Sequence, residues 1–358
     1  MSKYFNNKGY ISEIALLTIL LLFIMIESLS TDSYLESQVL NANINSEKAY
    51  YSVEDTLNLV LNDESCYNDF KSKIFDFLKS KKYNSIEDDI KYGKVYYVGD
   101  INIDKNYIND SIKKLKVYLY QKDEIFKGIV TATGTYQGDI KKSAEGVYTI
   151  INPIYIGENP IISSNDIGKD SLNSITELVN GFPFFGLDGK QNLIDTSDYD
   201  NVEISLSDFN ANGFDVSCYR YGNDCPAKKS QICGEEIFFV KKSNNHGMNS
   251  NVCIKSNNSD VNTQNVLSGI LYVEGDLEIC SNAKFNGIIV VNGGNIIVNS
   301  DVKPSIDGLI ILNDYSGDEA LLKKSIDIKY NEEIVKKYGI YLKNFIKPKL
   351  ESIKEIMN

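Results

Sequence analysis

The chain has 358 residues, 24% of them charged, and a formal net charge of -12 at neutral pH. This length predicts two or three packed domains with an ample core, and two is the working count. Arg220 is the single arginine and His246 the single histidine. The composition therefore argues against nucleic acid as a partner, against a multi-histidine zinc site and against the commonest hydrolase designs. The Ser, Asn and Gly residues around His246 predict a surface loop there.

The first predicted element is an apolar helix. The run Ile14–Ile26 carries no charge, and Thr18 is its one polar residue. Counted from Tyr10, the segment has 17 residues, about 25 Å as a helix, which is at the short end of what crosses a bilayer core. Nothing after the run resembles the small-residue cleavage site of a secretory signal, so we expect the segment to be retained.

The charges that flank the run differ in sign. Lys3 and Lys8 precede it, whereas the acidic residues Glu27, Asp32 and Glu36 follow it. Because positive flanks stay in the cytoplasm, we expect a single-pass cell membrane protein with a cytoplasmic N-terminus and the bulk of the chain outside. Membrane lipid is then one partner of residues 10–27.

The helix is predicted to continue well beyond the membrane, over residues 10–62. No glycine or proline occurs between Gly9 and Gly93 to break it. Apolar or small residues recur at spacings of three and four, at Leu35, Val39, Ala42, Ser46, Ala49, Val53, Leu57 and Val60. This stripe predicts that the second half of the helix packs against a folded domain.

This N-terminal region resembles the PilX N-terminal family of pilus-assembly proteins, a group of type IV pilin-like proteins. The likeness consists of a short basic leader, residues 1–9, that ends in Gly9, an aromatic Tyr10, the apolar helix, and the segment Lys48–Glu54 with its lysine, alanine, aromatic and glutamate residues. It implies cleavage after Gly9 by a prepilin peptidase and methylation of Tyr10. It also implies assembly with other pilin subunits by the pilus assembly machinery.

One residue departs from the pilin pattern. Pilins carry a glutamate at the fifth position of the mature chain, where its carboxylate pairs with the N-terminal ammonium of a neighbouring subunit. Here Glu13 is at the fourth position and Ile14 at the fifth. Two alternatives stay open: the helix rotates so that Glu13 serves in assembly, or the subunit lacks this pairing and lies at the filament tip.

Residues 63–160 are predicted to form a β-sheet region packed on the helix. A polar connection with a short helix near Phe70–Leu78 comes first. From Leu115 onward, β-branched and aromatic residues alternate with polar ones through about Ile151, with a turn at Gln137–Asp139. This period of two predicts a small antiparallel sheet.

Residues 161–265 are rich in Asp, Asn, Ser and Gly and are predicted to be an irregular insert. Four of the six cysteines lie in it: Cys218, Cys225, Cys233 and Cys253. Their spacing lacks the close pairs that chelate zinc, so disulfides are favoured, and neither a metal site nor a cofactor site is predicted. Pairing the first with the second and the third with the fourth would clip two loops, although three pairings are open and free thiols are an alternative. Cys66 and Cys280 are expected to be buried and free.

Residues 266–358 contain a rough repeat. Short β-branched runs begin at Gly269, Gly287 and Gly308, which are 18 and 21 residues apart. This period predicts coils of a β-solenoid, with a meander of hairpins as the alternative. The amphipathic segment Ile334–Ile356 is expected to be helical and to cap the last coil.

The expected fold class is therefore α+β: a long N-terminal helix, a small antiparallel sheet, a Cys-containing insert and a β-solenoid-like region. Three functions compete: a minor pilin or pilus-assembly subunit, a membrane-anchored adhesin or carbohydrate-binding protein outside any filament, and a surface hydrolase or lyase that uses paired carboxylates on a β-helix. The glycine before Tyr10 and the amphipathic continuation favour the first. The acidic string Asp195–Asp200 lacks the pattern of a calcium loop, and no catalytic residue or enzyme activity is predicted.

Overall fold

The computed structural model describes residues 7–80, 87–89, 93–103, 114–122, 125–136, 140–176, 184, 187, 193–206, 213–220, 225–233, 236–243, 251–256 and 266–356. Lys3 and His246 lie outside these ranges. The chain divides into two compact units. Unit 1 comprises Met1–Phe70, Asn84–Tyr148 and Lys349–Asn358, and unit 2 comprises Lys71–Tyr83 and Thr149–Pro348.

The first element, α1, is one continuous helix from Asn7 to Asn62. Its 56 residues give a length of about 84 Å at the usual rise per residue. The prediction of an unbroken helix over 10–62 is confirmed.

The remaining elements follow in chain order. They are α2 (Glu64–Ser80), β1 (Glu87–Asp89), β2 (Gly93–Asn102), β3 (Lys114–Lys122), β4 (Ile125–Tyr136), β5 (Ile140–Ile151), a 3-10 turn (Pro153–Ile156), β6 (Ile161–Ser163), α3 (Ser164–Ile167), α4 (Lys169–Thr176), β7 (Leu193–Asp195), β8 (Asn201–Leu206), β9 (Gly213–Tyr219), β10 (Lys228–Cys233), β11 (Glu236–Lys241), β12 (Asn251–Ser256), β13 (Val266–Glu274), β14 (Asp276–Ile279), β15 (Lys284–Asn292), β16 (Ile296–Val298), β17 (Ser305–Asn313), α5 (Glu319–Ser325), β18 (Asp327–Lys329), α6 (Glu332–Gly339) and β19 (Ile346–Ile356).

Unit 1 is built on a six-stranded sheet with the order β1-β2-β3-β4-β5-β19. Pairing from β1 through β4 is antiparallel, which confirms the predicted antiparallel sheet. Leu115, Val117 and Leu119 alternate along β3 and are fully buried. Two ion pairs join β19 to the sheet: Lys127 Nζ lies 2.6 Å from Glu351, and Lys142 Nζ 2.5 Å from Glu355.

Unit 2 contains two sheets whose central strands are parallel. One has the order β18-β17-β15-β13-β11-β7, with β6 also pairing with β17, and all of its pairs are parallel. In the other, β8, β12, β14 and β16 pair in parallel, and β9 and β10 add an antiparallel edge. From β11 to β17 the chain visits the two sheets alternately. Because β13, β15 and β17 are parallel, the hairpin alternative is wrong.

The three glycines of the repeat stack in register. Gly269 pairs with Gly287, and Gly287 with Gly308. A Cβ built on Gly287 would lie 2.0 Å from the Gly269 carbonyl oxygen, and one on Gly308 would lie 1.9 Å from the Gly287 carbonyl oxygen. Side chains at these positions would overlap the neighbouring backbone, so the periodic glycines are required by close strand approach.

Hydrophobic residues from successive strands fill the interior of unit 2. Leu271, Ile289 and Ile310 are register partners and are at most 1% exposed. A polar ladder runs beside them, because Asn292 and Asn313 are also register partners. The Asn313 amide donates a hydrogen bond to Asn292 Oδ1 at 2.9 Å. Each strand thus adds the same kinds of contact to the next.

Three expectations about secondary structure need correction. Residues 161–265 are not irregular, because β6 to β12 lie there and enter the sheets of unit 2. The segment Ile334–Ile356 is not one helix: α6 ends at Gly339, and Ile346–Ile356 forms β19. The short helix expected near Phe70–Leu78 exists but is longer, Glu64–Ser80.

Candidate functional site: the exposed segment of α1

The most unusual surface of the chain is the N-terminal part of α1. Every large apolar side chain in Ile14–Ile26 is 52% to 69% exposed. By its length and composition α1 could cross a membrane, and none of its most apolar stretch is buried. The ten Leu, Ile and Phe residues in this run favour insertion by about 3 to 6 kcal/mol in total.

The hydroxyl of Thr18, the polar residue inside the run, has a hydrogen-bond acceptor within the helix. Thr18 Oγ1 donates a hydrogen bond to the Ile14 carbonyl oxygen at 2.8 Å. A hydroxyl bonded to the preceding turn of its own helix does not need water. Thr18 is therefore compatible with a hydrocarbon environment.

The residues expected at the processing site lie at the start of α1. Gly9 is already helical, and Tyr10 is 68% exposed. Glu13 is also exposed. Glu13 follows Tyr10 by three positions, so the two lie on one face of the helix. Tyr10 and Glu13 therefore share an exposed face at the start of α1.

Exposed apolar residues continue beyond the run. They are 44% to 65% exposed and comprise Leu29, Tyr34, Leu35, Val39, Leu40 and Ile44. A bilayer core of about 30 Å accommodates only about 20 helical residues. This second set, called here the outer stripe, therefore extends past the membrane-spanning length. Leu35 and Val39 were expected to pack on the folded domain, and that expectation is wrong.

The buried part of α1 begins later, at Ala49. Ala49, Val53, Leu57 and Val60 are at most 1% exposed, and α1 contacts β4. The Tyr148 hydroxyl donates a hydrogen bond to the Leu57 carbonyl oxygen at 2.8 Å. These contacts attach the helix to the sheet of unit 1, as the stripe predicted for this part of α1.

The Lys48–Glu54 segment, which carries the family resemblance, contributes to this attachment. Lys48 Nζ lies 5.4 Å from the centre of the Tyr136 ring, within range of a cation–π interaction. Ala49 and Val53 are buried, whereas Tyr51 is 59% exposed. One face of the segment therefore packs on the sheet and the other presents an aromatic ring to the surroundings.

The cysteines pair differently from the expectation. Cys253 forms a disulfide with Cys280, 27 residues away, and not with Cys233. Cys218 and Cys225 are both free, so they do not clip a loop. Cys280 was expected to be free, and it is not. Cys66 is free and buried as expected, and desolvation together with the nearby Asp63 raises the pKa of its thiol to about 11.

The acidic string Asp195–Asp200 forms a turn between β7 and β8. Ser197 Oγ donates a hydrogen bond to Asp195 Oδ1 at 2.5 Å. Lys241 nearby is fully buried, and its ammonium donates to the Lys242 carbonyl oxygen at 2.6 Å. Burial lowers the pKa of Lys241, while the Asp200, Glu274 and Asp195 carboxylates act in the opposite direction. A lysine thus supplies positive charge beside the string, and within the described ranges the string forms no cluster of three close metal-ligating atoms.

Three residues that matter here were not predicted from the sequence. Tyr148 and Lys241 look like ordinary strand residues, and no local pattern marks a tyrosine or lysine that becomes buried. Cys280 lies far from the other cysteines in sequence. Its position directly after Asp276–Ile279, a short alternating strand, was the available signal, since such a strand can align with Asn251–Ser256.

Comparison with known proteins adds no assignment: no family model, no curated protein and no solved structure matches this chain significantly.

Proposed function

We propose that this chain is a minor pilin or pilus-assembly subunit. In this proposal α1 anchors the chain in the cell membrane and later packs among the helices of other pilin subunits. The β-rich part of the chain is displayed outside the cell, and its work is assembly and display rather than catalysis. The observation that carries the proposal is the outer stripe, the exposed apolar residues from Leu29 to Ile44.

The length of α1 supports a filament over a simple anchor. The helix is about 84 Å long and a bilayer core is about 30 Å thick. A lone anchor would leave the outer stripe in water, which is unfavourable by about 25 cal/mol for each Å² of apolar surface. Lateral packing against sister helices removes that surface from water. A membrane-anchored adhesin outside a filament offers no such cover.

The start of α1 supports processing by a prepilin peptidase. Cleavage after Gly9 would create an ammonium group on Tyr10, three residues before Glu13. In a helix this spacing brings the carboxylate toward the new terminus. Glu13 can then pair with the ammonium of its own subunit or with that of a neighbour. The second arrangement fits a shaft subunit, and the first fits a tip subunit.

The form of unit 2 supports display. Alternating visits to two sheets, parallel pairing and repeats aligned in register are typical of a β-solenoid, and we infer that strands β11 to β17 belong to one. Such a head holds its shape through contacts between successive coils. A domain that keeps its own shape suits a subunit whose surface is presented to the surroundings.

Mass spectrometry of the membrane-extracted protein tests the processing step. We expect a mature N-terminus at Tyr10 when the host has a prepilin peptidase, and an intact Met1 when that peptidase is deleted. Gly9→Val should block cleavage, whereas Asn7→Val is the matched control and should not. An intact Met1 in the presence of an active peptidase would favour the anchored adhesin.

Disulfide cross-linking tests the packing of the outer stripe. Leu35→Cys and Val39→Cys, each in a Cys225→Ser background, should give cross-linked dimers and ladders in cells. Lys329→Cys is the control, because its ammonium side chain is 70% exposed and lies in unit 2. If the stripe variants form no more cross-linked dimer than Lys329→Cys, the proposed packing of subunits through α1 is wrong.

A further inference from the structure

A second candidate site lies on the outward face of β12 and β14 in unit 2. Cys253 Sγ, a Glu278 carboxylate oxygen and Cys280 Sγ all lie within 4.8 Å of one another. Cys253 and Glu278 are register partners on adjacent parallel strands. Cys280 follows Glu278 by two residues, so both side chains leave the same face of the sheet. The intervening Ile279 is buried.

The backbone holds these three residues in place. The Cys280 N–H donates a hydrogen bond to the Ile254 carbonyl oxygen at 2.9 Å, which extends the pairing of the two strands past the end of β14. Ligands carried by paired strands need little ordering before they bind. The site is therefore positioned by the sheet and not by a loop.

Glu278 is available as a ligand. Its neighbour Lys255 forms its ion pair with another carboxylate, Glu203, at 2.9 Å. Within the described parts of the chain the Glu278 side chain makes no hydrogen bond or ion pair. Lys255 nevertheless lies close enough to sense the Glu278 charge. That ammonium offsets part of the negative charge of two thiolates and a carboxylate.

We propose that Cys253, Cys280 and Glu278 bind Zn²⁺ when the two cysteines are thiols. Thiolates select borderline and soft cations over Ca²⁺ and Mg²⁺, and zinc accepts a carboxylate and a water beside them. Tetrahedral coordination with Zn–S bonds of about 2.3 Å places two sulfurs about 3.8 Å apart. The two sulfurs are bonded to each other in the disulfide and separate to that distance after reduction, while the Glu278 oxygen already lies within 4.8 Å of both.

The zinc-bound thiolates and the disulfide are alternative states of the Cys253–Cys280 pair. Reduction by a dithiol transfers two electrons and two protons to the Cys253–Cys280 disulfide and leaves the dithiol as a cyclic disulfide. Zinc then displaces the two thiol protons. Bound zinc withholds the sulfur lone pairs from oxidants and alkylating agents. This site depends on unit 2 alone, so it stands or falls independently of filament assembly.

Alkylation kinetics with the full-length chain in detergent test the proposal. The protein is reduced anaerobically with dithiothreitol, desalted, and treated with iodoacetamide with and without Zn²⁺. Peptide mapping should show that Zn²⁺ slows alkylation of Cys253 and Cys280 about tenfold or more. Cys225, which is free and exposed, should be alkylated equally under both conditions. Equal rates at Cys253 and Cys280 would overturn the site.

Cobalt substitution identifies the ligands. The reduced chain with Co²⁺ should show a thiolate charge-transfer band, which Cys253→Ser or Cys280→Ser removes and Cys225→Ser retains. Glu278→Gln should raise the Zn²⁺ Kd about tenfold, whereas Glu333→Gln, at an exposed glutamate of α6, should change it less than twofold. The disulfide form of each glutamate variant should melt like wild type, which excludes a folding defect. Retention of the band in both serine variants, or equal weakening by the two glutamate changes, contradicts the proposed ligand set.

Discussion

The exposed part of α1 and the interior of unit 2 are built from the same residue types with opposite outcomes. Leu, Ile and Val dominate the central strands β13, β15 and β17, and Leu and Ile dominate Ile14–Ile26. In the strands, Leu271, Ile289 and Ile310 are at most 1% exposed. In the helix, the leucines and isoleucines are more than half exposed. Hydrophobicity alone therefore does not distinguish a buried core from an exposed apolar surface.

The difference lies in what the rest of the chain supplies. Strands β11, β13, β15 and β17 align in parallel register, so unit 2 buries their apolar residues within its own sheets. No element among the described residues covers α1 before Asn45. In the proposed function, this helix is buried by partners outside the chain: by lipid, by sister helices or by both in turn. Changes in the two regions should therefore affect different measurements.

The largest effect is expected from Gly287→Val. A Cβ at this position would lie 2.0 Å from the Gly269 carbonyl oxygen, and relief of that overlap requires the strands to separate. We expect a loss of at least about 4 kcal/mol of stability and loss of the cooperative thermal transition, measured by circular dichroism. Membrane fractionation should be unchanged.

A glycine outside the ladder gives the control. Gly293 has a positive φ of 73°, but a Cβ added there would meet no other atom within 4 Å. Gly293→Ala should cost about 1 kcal/mol through backbone strain alone. Equal melting temperatures for the two variants would show that the strands are not in the described register.

A smaller loss is expected from Leu57→Ala, on the buried part of α1. Leu57 is fully buried within unit 1. Removal of a buried leucine side chain costs about 3 kcal/mol. Chemical denaturation should report this loss. Leu40→Ala, on the exposed part of the same helix, is the matched control and should leave the denaturation midpoint unchanged. A shared effect would mean that both parts of the helix pack on the folded chain.

Leu20→Lys should change membrane insertion and leave the stability of the folded domains unchanged. Leu20 is 57% exposed, so unfolding of the β-sheets should not change. A lysine at the centre of a membrane helix opposes insertion by about 3 kcal/mol. The variant should shift toward the soluble or misinserted fraction in carbonate extraction, whereas Leu20→Ile should not. If Leu20→Lys is extracted like wild type, this segment does not span the membrane.

The parts of the fold that were predicted correctly depend on local patterns. The absence of glycine and proline after Gly9 predicted the long helix, and the spacing of Gly269, Gly287 and Gly308 correctly grouped three strands that align. The order in 161–265 was missed, because β7, β8 and β11 are short strands between polar turns and become recognisable only through partners elsewhere in the chain. The Cys253–Cys280 pair was missed for the same reason.

The C-terminal strand shows how two periods can compete. Ile346, Pro348 and Leu350 alternate with lysines and a glutamate, which fits a strand, but lysine-rich amphipathic segments also fit a helix. Pro348 was the deciding signal, since proline inside a helix removes a hydrogen bond and collides with the preceding turn. The site at Gly9, Tyr10 and Glu13 could be proposed from sequence, whereas the outer stripe required the structure.

The smallest expected effect concerns the hydrogen bond that joins Tyr148 to α1. Burial raises the pKa of the Tyr148 hydroxyl above its ordinary value of 10.0. In the unfolded chain this hydroxyl ionises above about pH 10, but in the folded chain it stays protonated, so the free energy of unfolding falls as pH rises above that value. Tyr148→Phe removes the bond to the Leu57 carbonyl oxygen and should cost about 1 kcal/mol at neutral pH.

The difference between wild type and Tyr148→Phe should therefore shrink as pH rises above about 10, because phenylalanine does not titrate. Denaturation curves at neutral pH and at several more alkaline pH values measure this. Tyr51 lies on the exposed face of α1, and Tyr51→Phe should match wild type at every pH. A constant difference across the series would mean that Tyr148 is accessible to solvent, and that the contact between α1 and the sheet is looser than its burial indicates.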